Sequence, residues 1–155
     1  MQRYNLFQSA HHTLQDVLFD GAISLQKEGS PSLQKVTDAV TVAQLQARAK
    51  EDCIFPAIDA FEPSVVDAVK QQHAMAFQLT QQLEAILKEE QQLSQLRQAY
   101  NQLLVAQLKS MQKGEEVLLP ILWQYYSDAE LKKLEARLDK VLQRQIEQAT
   151  AIAAM

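Results

Sequence analysis

"KEDCIFPAI", residues 50–58, and "GEEVLLPIL", residues 114–122, share one shape. Each has two acids, three apolar or near-apolar residues, a proline and two more apolar residues. Both sit where the flanking sequence has helical periodicity. A proline there removes one backbone hydrogen bond and bends the helix. The repeat therefore implies two helical hairpins packed with approximate twofold symmetry. The competing reading is coincidence between two helix ends in a chain rich in Glu and Leu.

Outward from these motifs, helical spacing runs through the chain. Phe7, Ala10, Leu14, Leu18, Gly21 and Leu25 follow the three–four rule and predict a first helix from about residue 5 to about residue 28. "GSPS" (29–32) ends it, with Gly29 as C-cap and Pro31 barring continuation. A second helix starts near Leu33 and reaches the first proline motif. Pro63 opens a third, at a first-turn position where a missing N–H is harmless. Its core face is read as Val66, Val69, His73, Ala76, Phe77, Thr80 and Leu87. "KEEQQLSQ" (88–95) is a polar turn region. A fourth helix from near Gln95 carries Leu103, Gln107, Ser110, Gly114, Val117 and Ile121 on one stripe. Ser127 and Glu130 form a capping box that launches a fifth helix on Leu131, Leu134, Leu138, Val141, Gln145 and Ala149. No strand-like alternation appears. The expected architecture is all-α: an up-down-up-down four-helix bundle plus a C-terminal helix over 127–155, all in one domain, 1–155.

Composition narrows the function classes. The 155 residues suffice for one core. A net charge of −4, with no run of Lys and Arg, argues against a nucleic-acid partner. The lone Cys53 excludes an intrachain disulfide. The first residues lack an uninterrupted apolar stretch, so neither a signal peptide nor a membrane span is expected, and the expected location is the cytoplasm. No phosphate loop, nucleophile elbow, HExxH or ferritin-type ExxH is present.

The proline motifs, the opening "YNLFQSAHHTLQDVL" and the closing "EEVLLPILWQYYSDAEL" resemble the hemerythrin-like (HHE cation-binding) family across nearly the whole chain. That resemblance implies a four-helix bundle gripping two bridged irons. Helices two and four each supply a histidine ten residues before the proline and a carboxylate four residues after that histidine. The first helix supplies a histidine, and the third a histidine pair at i and i+4.

Counted back from Pro56, the histidine and carboxylate positions hold Gln46 and Lys50; from Pro120 they hold Ser110 and Gly114. On helix three His73 matches, but its partner is Phe77. On helix one His11 matches, and His12 points elsewhere. Two histidines thus remain and both bridging carboxylates are gone. A lysine about 5 Å from a dication is unfavourable by about 7 kcal/mol at an effective dielectric near 20. Phe77 is expected to plug the place of an imidazole.

A register shifted by one brings in Glu51 and Glu115, giving with His11 and His73 a mixed N/O site for one metal. Helical phase opposes this, since Glu115 lies about 100° around from Gly114. His11 and His73 are read instead as hydrogen-bonded core residues, to each other or to Ser110, and the acids as exposed. Trp123, Tyr125 and Tyr126 are read as packing against helix five rather than forming a ligand pocket, though part of "EVLLPILWQYY" is a candidate interface. The expectation is a non-enzymatic binding or regulatory module without cofactor, taking an unidentified protein or small ligand at the cavity near Ser110 and Gly114 or on helix five. The alternative is an iron or zinc protein in oxygen sensing or metal storage. A homodimer through the C-terminal helix is a further reading.

Overall fold

A computed structural model describes residues 3–26, 33–88 and 93–154, with the side chains of 145, 146 and 148–154 left out. All of its regular structure is helical. The helices are α1 (Gln8–Gln26), α2 (Leu33–Cys53), α3 (Phe55–Asp59), α4 (Pro63–Lys88), α5 (Leu93–Lys113), α6 (Leu119–Tyr125) and α7 (Asp128–Ala154), with a π-helical segment, Gly114–Leu118, between α5 and α6. No helix among the described residues is long and apolar enough to cross a membrane. The expected break at Gly29 and Pro31 and most of the polar turn near residue 90 lie outside the described residues.

The two proline motifs resolve the same local problem differently. Pro56 has no N–H to give to the preceding turn, and α2 stops at Cys53. After a turn at Ile54 the short α3 restarts, with the proline in its first positions. Before Pro120 the chain instead widens. The Leu119 N–H donates to the Gly114 carbonyl five residues back, and α6 starts again with the proline near its head. Both prolines therefore open new helical segments rather than bending the last turns of old ones.

Burial follows the predicted stripes with two differences. On α4 the buried residues are Val66, Val69, Ala76, Thr80 and Leu83. Phe77 is 48% exposed, so the expected interior plug is corrected to a side chain at the surface. Its neighbour Ala76 takes the inward position. On α5 and beyond, the buried line runs through Leu103, Gln107, Met111, Gly114, Leu118 and Leu122, not through Ser110, Val117 and Ile121. Met111 takes the inward place of Ser110 already within α5; past Gly114 a π turn uses more residues than an α turn, so the stripe there drifts from Val117 to Leu118 and from Ile121 to Leu122.

α1 packs against α2 and α5, and α4 packs against α5, while the contact of α2 with α4 is sparse. α7 lies on α2. Its Leu131, Leu134 and Leu138 are buried in the chain's own core, and Val141 packs at the edge of that cluster. The predicted capping box starts α7: the Ser127 N–H donates to Glu130 Oε1 at 3.0 Å, and the Glu130 N–H to Ser127 Oγ at 3.2 Å.

The apolar interior is divided. One cluster gathers Phe7, Cys53, Phe55, Val69, Leu118 and Leu131 near the proline motifs. The other gathers Leu14, Leu18, Ala43, Leu83, Tyr100 and Met111. Between them in sequence fall polar residues: His11 on α1, Gln46 and Lys50 on α2, and His73 on α4; on α5 Gln107 interrupts the second cluster between Leu103 and Met111. Four of these, His11, Gln46, Lys50 and Gln107, are buried. A polar layer inside a core is expensive unless its members bond one another, which makes it the place to look for function.

Candidate functional site

His11 organises the layer. Its Nε2 lies 2.8 Å from Lys50 Nζ and its Nδ1 lies 3.1 Å from Glu115 Oε1. An ammonium only donates and a carboxylate only accepts, so the imidazole is neutral, accepting at Nε2 and donating from Nδ1. The ring stacks on Phe7, with centroids 5.3 Å apart and planes 6° from parallel. Lys50 Nζ also lies 5.4 Å from the Phe7 centroid, within reach of a cation–π attraction. Burial, and then the charge of Lys50, push the His11 pKa down to about 3. Burial likewise pulls Lys50 down to about 8, with Glu115 acting in the opposite sense.

Gln46, one turn before Lys50, donates from Nε2 to the Ala10 carbonyl at 2.8 Å. Its Oε1 is buried without a partner. Gly114 stands beside His11: a Cβ there would lie 3.6 Å from His11 Cε1, an ordinary contact, so the missing side chain is not forced by crowding.

His73 forms a second, shallower pair, with Nδ1 3.2 Å from Glu51 Oε1 and its ring tilted against Phe55 at 5.1 Å. Burial, then Lys50, lower its pKa, and Glu51 opposes them. The two histidines thus bond neither each other nor Ser110; each takes a carboxylate from the exposed side. Glu51 and Glu115, read as solvated, are half-exposed but engaged. His12 is a surface residue.

A cleft of about 390 Å³ opens along this layer, where α2 and α4 separate. Gln46, Lys50, Glu51, His73, Phe77, Gln107 and Ser110 line it. Gly114 does not reach it. Of the nine positions singled out from the sequence, the structure brings six to one cleft. The other three, His11, Gly114 and Glu115, lie beside one another behind Lys50. What sequence reasoning missed is the role of Lys50: a lysine four residues before the helix break at Ile54 has no local signal that it will bond a buried histidine. Gln107, on the predicted stripe of the fourth helix, and Gln46, at the counted-back histidine position, are both buried as those readings imply.

The aromatic run has structural work. Trp123 Nε1 donates to the Tyr4 carbonyl at 2.8 Å and Tyr126 Oη to the Ala57 carbonyl at 2.7 Å. Tyr125 stacks on Phe61, with centroids 4.1 Å apart. Arg3 donates to the Tyr126 carbonyl and to Asp128, tying the N-terminal segment to the head of α7. Leu118, Leu119 and Leu122 are buried, while Pro120 at the centre of the stretch and Gln124 meet solvent.

Comparison with protein-family models finds no match, and comparison with curated proteins and with solved structures likewise finds none. The hemerythrin-like resemblance therefore stands on the quoted residues alone. Among the described residues, no three His, Cys, Asp or Glu side chains gather closely enough to hold one metal ion.

Proposed function

We propose that this chain is a hemerythrin-like up-down-up-down bundle with a fifth, C-terminal helix, in which a lysine-centred polar layer takes the place of a di-iron centre. On this reading it is a cytoplasmic, non-enzymatic binding or regulatory module that admits a small ligand to the cleft between α2 and α4. A protein partner at the same face is the variant of this reading in which the ligand is a side chain.

The observation that carries the proposal is the 2.8 Å contact between Lys50 Nζ and His11 Nε2. The nitrogen an iron needs is engaged by an ammonium, and a cation stands where the resemblance requires an anionic bridge. Gln46 and Ser110 stand at the histidine positions and Gly114 at the other bridge, and none of them replaces an imidazole or a carboxylate. The residues present do not fit a pair of irons. The cleft supports the binding half of the reading. Its size falls in the small-molecule range, and it combines apolar walls with a few convergent polar groups.

The test is elemental analysis of protein produced in iron- and zinc-supplemented medium. The expected result is metal far below one ion per chain. Stoichiometric iron with an oxygen-dependent near-ultraviolet band would return the chain to the metal-binding class, as would stoichiometric zinc lost on His11→Ala substitution.

A further inference from the structure

We infer that the cleft between α2 and α4 recognises an organic acid with an apolar body and a hydroxyl beside its carboxylate, a 2-hydroxy acid, with the carboxylate on Lys50 and the hydroxyl donating to Gln46. This names the ligand class of the binding module proposed above and rests on that reading.

Three observations converge. The first is the orientation of Gln46. Its Nε2 faces the Ala10 carbonyl, which only accepts, so the amide cannot be flipped and Oε1 is fixed as an acceptor. Gln46 is 6% exposed and that oxygen has no donor. A buried acceptor left unpaired is a standing penalty that a ligand hydroxyl removes.

The second is the charge balance. Lys50 is buried, its nearest polar partner is a neutral imidazole, and no carboxylate lies within 4.0 Å of its Nζ among the described residues. The same cleft is lined by Arg48 and Lys70 against a single acid, Glu51, which is already engaged by His73. A cleft with three cationic side chains and one paired carboxylate selects an anion. Gln46 and Lys50 are one turn apart on the same face of α2, so a carboxylate and a hydroxyl on adjacent carbons meet both. An ammonium in place of the hydroxyl would face Lys50 and Lys70 with like charge, which disfavours a 2-amino acid.

The third is the apolar lining. Leu14, Ala43, Ala76, Phe77 and Met111 supply it. Phe77 is half-exposed because it stands at the cleft rather than in the core, so its ring is free to cover an alkyl chain.

The experiment is calorimetric titration of the full chain with 2-hydroxyoctanoate, octanoate and 1-octanol. Wild type is expected to bind the hydroxy acid about five- to tenfold more tightly than octanoate, and octanoate about tenfold or more above the alcohol. Gln46→Leu is expected to erase the first preference and keep the second; Lys50→Met is expected to erase the second. Far-ultraviolet circular dichroism checks that each variant is folded, and if Gln46→Leu is not, the wild-type comparison decides alone. Equal binding of the two acids by wild type, or a hydroxyl preference that survives Gln46→Leu, overturns this inference and leaves the cleft as a binding site. Failure of all three probes to bind overturns the binding reading with it.

Discussion

Replacing Lys50 by Met tests the polar layer through its pH dependence. Burial lowers the Lys50 pKa from 10.5 to about 8. At about 1.4 kcal/mol for each unit of pKa, the protonated form is destabilised in the fold by about 3 kcal/mol relative to the unfolded chain. Methionine removes that penalty. It also forfeits a cation–π contact of about 0.5–1 kcal/mol and the donor that satisfies His11 Nε2, whose loss costs about 1–3 kcal/mol. At pH 7 these effects nearly offset, so a single measurement there decides nothing.

The slope decides. Between pH 8 and 10.5 the unfolded lysine still holds a proton that the folded one has released, so the wild type gains stability as pH rises. Relative to Lys50→Met, the gain is up to about 3 kcal/mol. Facing Lys50 are His11 and Glu115 from α1 and the π segment, His73 and Lys70 from α4, and Arg48 and Glu51 from its own helix. All are common to both chains and cancel in the difference. Urea denaturation of both proteins at pH 7, 8, 9 and 10 measures it. A stability difference that stays flat across that range would refute the claim that Lys50 is buried as a cation.

Other perturbations probe the same layer. His11 is neutral in the fold with a pKa near 3, so below pH 6.5 the unfolded imidazole binds a proton that the folded one refuses, and stability falls as pH falls. Between pH 7 and 4.5 the loss is about 3 kcal/mol, and His11→Gln is expected to abolish that part of the slope in urea titrations. The two described glycines should respond oppositely to alanine. At Gly114 the new methyl meets only the His11 ring, Cε1 at 3.6 Å and Nε2 at 4.0 Å, so Gly114→Ala is expected to stabilise by about 0.5–1 kcal/mol. At Gly21 it strikes the ring of Tyr100, whose hydroxyl is held by the Leu18 carbonyl at 2.5 Å, so Gly21→Ala is expected to destabilise by about 1–3 kcal/mol. Thermal denaturation of the pair checks both signs, and equal effects would show that the packing around Tyr100 is not as described.

Much of the scaffold was legible because its signals are local. Ser127 and Glu130 satisfy each other's backbone across three residues, and Pro63 sits where a helix has a spare N–H. The leucine spacings of α1 and α7 report a period that neighbouring residues impose. These fixed the helical class and most element boundaries before any contact was known. The site was legible only as a set of positions. The count back from each proline pointed to Gln46 and Lys50, which lie together at the centre of the layer, but nothing nearby said what a lysine would do there.

Tertiary structure decided the rest, for two physical reasons. Helical phase is cumulative: within α5 burial falls on Met111 rather than Ser110, the widened turn at Gly114–Leu118 carries it on to Leu118 rather than Val117, and on α4 a residue's difference separated buried Ala76 from half-exposed Phe77. Protonation depends on what folding brings near. Lys50 meets a histidine 39 residues away, and that histidine meets a carboxylate 104 residues further along. The sequence by itself determined which segments are helices; whether Lys50 is a solvated charge or a buried donor between His11 and Phe7 is set by desolvation, which exists only once the helices have packed.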